Sequence, residues 1–347
     1  MKKMMMTAVM AAMLATPALA AEKLSVVGSW SSLPLYKQFT TPFWTKELPK
    51  LTNGDFTAQL TSFDQMGIKG GDVLRLLGQG VFDVGQTVSD YAVGDAPALE
   101  GLDVPLVATT VPEARAMVNA ARPMVADILN KSFNAELLGI APYPPQVVFC
   151  KGDVNSLADL KGKKVRGSGR MTSKLLEALG ADAVNISFSE VPGALQRGVI
   201  DCAVTGAGSG YSAGWYEVTD HLLTLPLGGW DPVVIAMNKT KFDALPPAKQ
   251  KELKHAVRVG LEDKAWDAAK GGMANDVACL TGHGTCTSGK PAKMVLVEAT
   301  PADMATARKV LETKVLPDWA KRAGPEWVKR WNATVGKVVG VTVPTAG

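Results

Sequence analysis

"LGQGVFDVGQT" (Leu77 to Thr87) and "LQRGVIDCAVT" (Leu195 to Thr205) lie far apart in the chain yet align without a gap, matching Gly80 to Gly198, Asp83 to Asp201 and Thr87 to Thr205. In each, residues with helical spacing end on a glycine and an apolar run follows, which predicts a helix, a turn and a strand. A second match precedes each copy. "VVGSW" (Val26 to Trp30) aligns on "VRGSG" (Val165 to Gly169), which sets Val27 against Arg166. Either match alone is short enough to be chance. Two in the same order, at the same strand and helix positions, predict two similar α/β domains.

The rest of the chain fits that plan. "KLSVVGS" and "FTAQLTSF" read as strands, and "GGDVLRLLGQG" as a helix feeding the strand "VFDVGQT". Later come the strand "KKVRGS", the helix "MTSKLLEALG", the strand "AVNISF", the helix "SEVPGALQRG" and the strand "VIDCAVT". Such alternation implies mostly parallel sheets with helices on both faces. "YPPQVVFCKG" is a proline-led extended run suited to crossing from the first domain to the second, and "WDPVVIAMN" to crossing back. From Pro247 to about Val277 the pattern reads as one long helix spanning both domains, with proline in its first turn. The end of the chain reads as two helices split at Gly324-Pro325. The expected layout is domain I over 21–147 and domain II over 148–232. The chain then returns through the long helix (233–277), and C-terminal helices (278–347) pack on both domains.

The N-terminus sets the compartment. Lys2 and Lys3 precede an uncharged apolar run that ends in Ala18-Leu19-Ala20, the pattern of a secretory signal peptide cleaved after Ala20. The expected location is the periplasm. A formal net charge of +4, two units of it in the leader, leaves no basic stripe for nucleic acid. In an exported chain the four cysteines are expected to pair. Cys279 and Cys286 bracket the glycine-rich "LTGHGT", which leaves Cys150 with Cys202.

In open parallel sheets, ligands bind outside the carboxyl ends of the strands. Two such domains facing each other would place Arg166 and Thr205 on one wall of a cleft and Ser29, Trp30, Gln86 and Thr87 on the other. An arginine closing a short apolar strand is costly to bury alone, and its planar fork of donors suits a carboxylate. The alternative for Arg166 is a surface ion pair. A cleft arginine awaiting a ligand would be unpaired, so its loss should leave folding of the empty protein unchanged. An enzyme reading finds little support. His221, His255 and His283 show no convergence on a nucleophile, and "GAGSG" (Gly206 to Gly210) lacks the GxGxxG spacing of a dinucleotide loop. No catalytic residue, cofactor or metal is expected.

The chain resembles the solute-binding proteins of TRAP (tripartite ATP-independent periplasmic) transporters over nearly all of its length after the leader. The most specific segments are "LADLKGKKVRGSGRMTSKLLEALGA", "SEVPGALQRGVIDCAVTG", "VIAMNKTKFDALPPAKQKEL" and "FDVGQTVSDYAVGDAPALEGLDVP". The resemblance implies a two-domain, periplasmic-binding-protein type II-like receptor. Such a receptor closes on a small organic acid and delivers it to membrane subunits driven by an ion gradient. It places Arg166 at the family's carboxylate-binding arginine, Thr205 at a ligand-contacting polar position and Trp230 at an aromatic near the ligand. "GSWSSLP" departs from the histidine-containing segment of many relatives, and "CLTGHGTC" looks like an insertion. Asp231, if it faces the cleft, would repel a second carboxylate unless a cation intervenes. That favours a monocarboxylate bearing a keto, hydroxyl or aromatic group. The remaining alternatives are a secreted hydrolase or isomerase on a similar scaffold, or the ligand-binding component of a periplasmic sensor.

Overall fold

The structure is a computed structural model and describes residues 21–345; the leader and its cleavage site lie outside the described residues. The strands run in chain order as β1 (Glu22–Gly28), β2 (Phe56–Ser62), β3 (Val84–Val88), β4 (Ala135–Ala141), β5 (Gln146–Cys150) and β6 (Lys164–Arg166). They continue as β7 (Asp182–Val184), β8 (Cys202–Gly206), β9 (His221–Leu223), β10 (Val233–Asn238) and β11 (Val295–Val297). They form two sheets, ordered β2-β1-β3-β10-β4 and β11-β9-β5-β8-β6-β7.

The internal repeat is structural. Val26 and Val27 of β1 pair in parallel with Val84 and Gly85 of β3, just as Val165 and Arg166 of β6 pair with Cys202 and Ala203 of β8. Gly80 and Gly198 both end their helix in the left-handed region, at φ of 77° and 69°, where a side chain would be strained. Asp83 accepts from Ser25 N at 2.7 Å, and its counterpart Asp201 accepts from Lys164 N at 2.8 Å. In each repeat the same carboxylate therefore ties the start of one strand to its neighbour.

The sheets are mostly parallel, as expected, with one reversed strand in each. β10 runs antiparallel to β3 and β4 in the first sheet, and β5 antiparallel to β8 and β9 in the second. The reason is topological. Each of these strands enters its sheet from the other half of the molecule, so it arrives against the direction set by the local helix crossovers.

The helix Val111–Phe133 is absent from the sequence reading, although its start is well marked. Thr110 and Glu113 form a reciprocal capping box around Pro112. Alanine-rich composition and Pro123 inside the helix blur the periodicity that follows. The long helix is present as Pro247–Val257 and Asp263–Thr281, continuous through a wider turn at Arg258–Glu262. The C-terminal helical runs split at Gly324, whose φ is 86°. They seat Trp319 and Trp331 against the Pro97–Leu102 turn, where the indoles donate to Pro97 O and Gly101 O. Both expected disulfides are present, Cys150–Cys202 between paired positions of β5 and β8 and Cys279–Cys286 around its short turn. Among the described residues, no helix is long and apolar enough to cross a membrane.

Candidate functional site

Arg166 ends β6 at a Gly-Ser-Gly turn and is 3% exposed. Its Nε donates to Ile186 O at 3.0 Å and its Nη1 to Val204 O at 2.7 Å. Two backbone carbonyls therefore fix the guanidinium plane, and the Tyr91 hydroxyl lies beside it as a further polar neighbour. Burial pulls its pKa down, opposed by the nearby Tyr91 and Asp231. An anion beside it would restore what burial removes. The arginine is therefore partly satisfied in the empty protein, unlike the unpaired side chain expected from the sequence.

Arg166 opens onto a cavity of about 810 Å³ whose lining includes Trp30, Phe63, Tyr91, Ser168 and Phe188. Trp30 packs edge-on against Phe63 and Tyr91 with ring centroids 5.0 and 5.4 Å apart, and lies 5.5 Å from Phe188 of the other half. Aromatic walls from both sheets and one cation thus meet in one space. A second groove of about 430 Å³, lined by Phe39, Tyr143 and Asp276 among others, has no basic side chain in its lining and is unsuited to an acid.

The other expected cleft residues divide. Ser29 is buried with its hydroxyl 3.1 Å from the Tyr143 hydroxyl. Gln86 accepts from Thr40 through Oε1, while its Nε2 is buried without a partner. Thr87 donates to Gly70 O at 2.7 Å, which commits its hydroxyl to the fold. Thr205 is buried on β8 opposite Val147; its neighbour Val204 is the residue that touches Arg166. Trp230 does not line the cavity. Its indole donates to Ala108 O at 2.8 Å and its ring packs 6.0 Å from Trp266. Asp231 lies on the turn that leads into β10, its carboxyl pushed up to about 6 by burial and held down in part by Arg166 and the Gln146 amide.

Residues 28–316 match the model of the bacterial extracellular solute-binding protein family 7. The chain belongs to this family. Among curated relatives, the 2,3-diketo-L-gulonate-binding periplasmic protein YiaO of Escherichia coli (strain K12) is 27% identical over 213 residues, which is 60% of either chain. The ectoine-binding periplasmic protein TeaA of Halomonas elongata is 26% identical over 227 residues, 62% of either chain. Each alignment therefore spans less than two thirds of the relative. Among solved structures, DctP7, a Bordetella pertussis extracytoplasmic solute receptor binding pyroglutamic acid, has a TM-score of 0.79 at 24% identity, covering 91% of this chain and 99% of that one. At that identity the likeness is one of fold. The family and these relatives are solute-binding proteins, not enzymes.

In this family 7 protein the sequence reading missed Tyr91 and Phe188 on the cavity wall, and Asp103 and Gln146, which hold the turn around Gly229 to Asp231. Tyr91 follows the repeat by four residues in "TVSDYAVG", where an aromatic among small polar residues just past a strand end was the available signal. Gln146 opens β5, fully buried, with its amide beside Asp231, an encounter that only the packed structure reveals.

Proposed function

We propose that the protein is a periplasmic solute receptor that holds a small monocarboxylate between its two sheets and hands it to the membrane subunits of a TRAP transporter. The supporting observation is Arg166: a buried guanidinium fixed through Nε and Nη1, with its remaining edge toward an aromatic-walled cavity. Organic acids of the kinds named for the relatives, a diketo sugar acid and pyroglutamic acid, fall in the same chemical range. Two short segments that join the sheets, 142–145 and 224–232, act as the hinge, with closure sealing the acid from water. The leader directs export and is removed by cleavage after Ala20.

A thermal-shift panel of organic acids selects the ligand class, and calorimetry on wild type and Arg166→Ala tests it. The receptor reading expects stoichiometric binding, unchanged ligand after incubation, and large loss in the alanine variant. Near-wild-type affinity in Arg166→Ala, or conversion of the ligand, defeats it. Small-angle scattering at saturation should show a smaller radius of gyration than the empty protein.

A further inference from the structure

The helix Arg170–Ala178 follows the turn that carries Arg166, and it starts without a cap of its own. Gly169 stands at the N-cap with a φ of −147°, extended backbone open to any residue, yet it has no side chain to reach the first-turn amides. Such positions favour Ser, Thr, Asp or Asn, whose oxygen satisfies one of the orphan N–H groups. Here the oxygen comes from elsewhere. A Cβ on Gly169 would overlap Asp90 Oδ2, so the Asp90 carboxylate fills the space that a capping side chain would occupy. It accepts the Arg170 N–H there. Asp90 belongs to the other half: it is 5% exposed and lies on the short turn Ser89–Ala92 directly after β3.

Its neighbour meets the same stretch of chain. Tyr91 lines the cavity, packs edge-on against Trp30 and sets its hydroxyl beside Arg166. Consecutive residues of the first half therefore touch both ends of the Arg166-Gly167-Ser168-Gly169-Arg170 turn of the second. The nearby Arg322 is already engaged, bonded through both terminal nitrogens to Glu100. What Asp90 meets is the positive end of the helix dipole. Its Oδ1 is buried without a hydrogen-bond partner among the described residues, so docking this carboxylate also carries a desolvation cost. The cap forms only with the halves together. An acid that closes the cleft and the cap that Asp90 provides therefore favour the same state.

We propose that Asp90 is a positioning residue for acid binding: supplied by the first half, it caps the helix Arg170–Ala178 of the second and so pins the Arg166 turn in the closed, acid-holding arrangement. This rests on the Arg166 reading and deepens it. Asp90 does not line the Arg166 cavity, so it acts on the ligand only through the position of that turn. Gly169 is the matching part, because any side chain there would keep the carboxylate off the helix.

The probes are pyruvate, L-lactate and benzoate, which sample keto, hydroxyl and aromatic monocarboxylates, titrated calorimetrically into wild type and variants. For any of them that binds in an Arg166-dependent way, Asp90→Gly should weaken affinity about tenfold and speed dissociation, the loss of one capping bond to a charged acceptor. Asp90→Asn keeps an oxygen that accepts the N–H, so it should lose about threefold or less. The deciding variant moves the cap into the helix's own chain, by Gly169→Ser together with Asp90→Gly. Its empty form should melt above Asp90→Gly, while its affinity stays about tenfold below wild type because the oxygen no longer ties the halves. Gly169→Ala alone should weaken binding about thirtyfold or more, and adding Asp90→Gly should recover part of that affinity. Wild-type affinity in Asp90→Gly, or affinity fully restored by the in-chain serine cap, overturns the proposal and leaves the receptor reading standing. If none of the three acids binds wild type, the receptor reading falls and the proposal falls with it.

Discussion

The two repeats of this protein share a scaffold and differ in what they present. At equivalent positions β1 carries Val27 and β6 carries Arg166, β3 carries Gln86 and β8 carries Val204, and Trp30 of one turn faces the place of Gly169 in the other. Val27 sits in the apolar core, whereas Arg166 turns to the cavity. Gly169 is small for a reason: a Cβ there would lie 1.4 Å from Asp90 Oδ2, across the contact between the halves. The first half therefore supplies bulk and aromatic surface, and the second supplies the cation and the clearance to close. The shared scaffold sets the geometry, and different residues at equivalent strand ends divide the chemistry.

The largest effect should come from breaking that division at Arg166. Arg166→Ala should cost on the order of 2–5 kcal/mol of ligand affinity, about thirtyfold to several thousandfold, with only partial rescue by lysine. Val27→Ala, at the equivalent place, should leave affinity near wild type and lower stability instead. Because Arg166 also serves Ile186 O and Val204 O, the empty alanine variant should lose roughly 1–3 kcal/mol of stability. Calorimetry and chemical denaturation on the same samples separate the two losses, and an unchanged empty protein would show that those backbone bonds contribute nothing.

The halves also differ in how each antiparallel strand is fastened. β5 is bonded to β8 through Cys150–Cys202, where the first half sets Met237 of β10 against Val84 of β3. The Cys150–Cys202 bond closes a sequence separation of 52, against 7 for Cys279–Cys286. Chain entropy then assigns about 4 kcal/mol to the first and about 2.5 kcal/mol to the second. Denaturation of the paired alanine variants should reproduce that order. The opposite order would mean that the disulfide-bounded turn holds more structure than its length suggests.

How much of this was legible follows from where information sits. The repeat showed in the sequence because Gly80, Gly198, Asp83 and Asp201 answer to local backbone demands: a left-handed turn, and a carboxylate capping the adjacent strand. Arg166 showed because a charge at a strand end is conspicuous. Thr87 and Trp230 were read as ligand contacts because their types fit, but packing had already committed them to Gly70 and Ala108. Asp103 and Gln146 were invisible for the converse reason. Their roles depend on a turn more than eighty residues away from each along the chain, and no local pattern encodes that encounter.

The two joining segments give a smaller contrast. Segment 142–145 contains no carboxylate, whereas 224–232 carries Asp231, whose burial raises its carboxyl from 3.8 to about 6. With the folded pKa above the unfolded one, the folded state binds the extra proton. Stability of the empty protein should therefore fall as pH rises from about 4 through 6, by an amount on the order of 2 kcal/mol. Asp231→Asn should flatten that part of the melting-temperature profile. An unaltered slope would assign it to other buried carboxyls raised by burial, Asp90 and Asp103 first among them.

The smallest expected difference lies in the shared capping carboxylates. Asp83 holds Ser25 through both its backbone N–H and its hydroxyl, and is joined on the other side by Lys241. Burial raises its pKa, but those bonds outweigh it and hold the carboxyl below its ordinary value. A depressed pKa means stability that is present above the unfolded pKa and lost as pH falls through the folded one. Asp201 makes the equivalent bond to Lys164 N, and no ion pair joins it among the described residues. Asp83→Asn should cost about 1–2 kcal/mol and Asp201→Asn about 1 kcal/mol or less, since the amide oxygen still accepts the backbone N–H in both. Lys241→Met isolates the remaining term: it should remove most of the Asp83 excess while leaving the Asp201→Asn cost unchanged. Equal costs at Asp83 and Asp201, with no effect of Lys241→Met, would show that the strand cap inherited by both halves does all the work and that the added lysine is a surface pair of negligible worth.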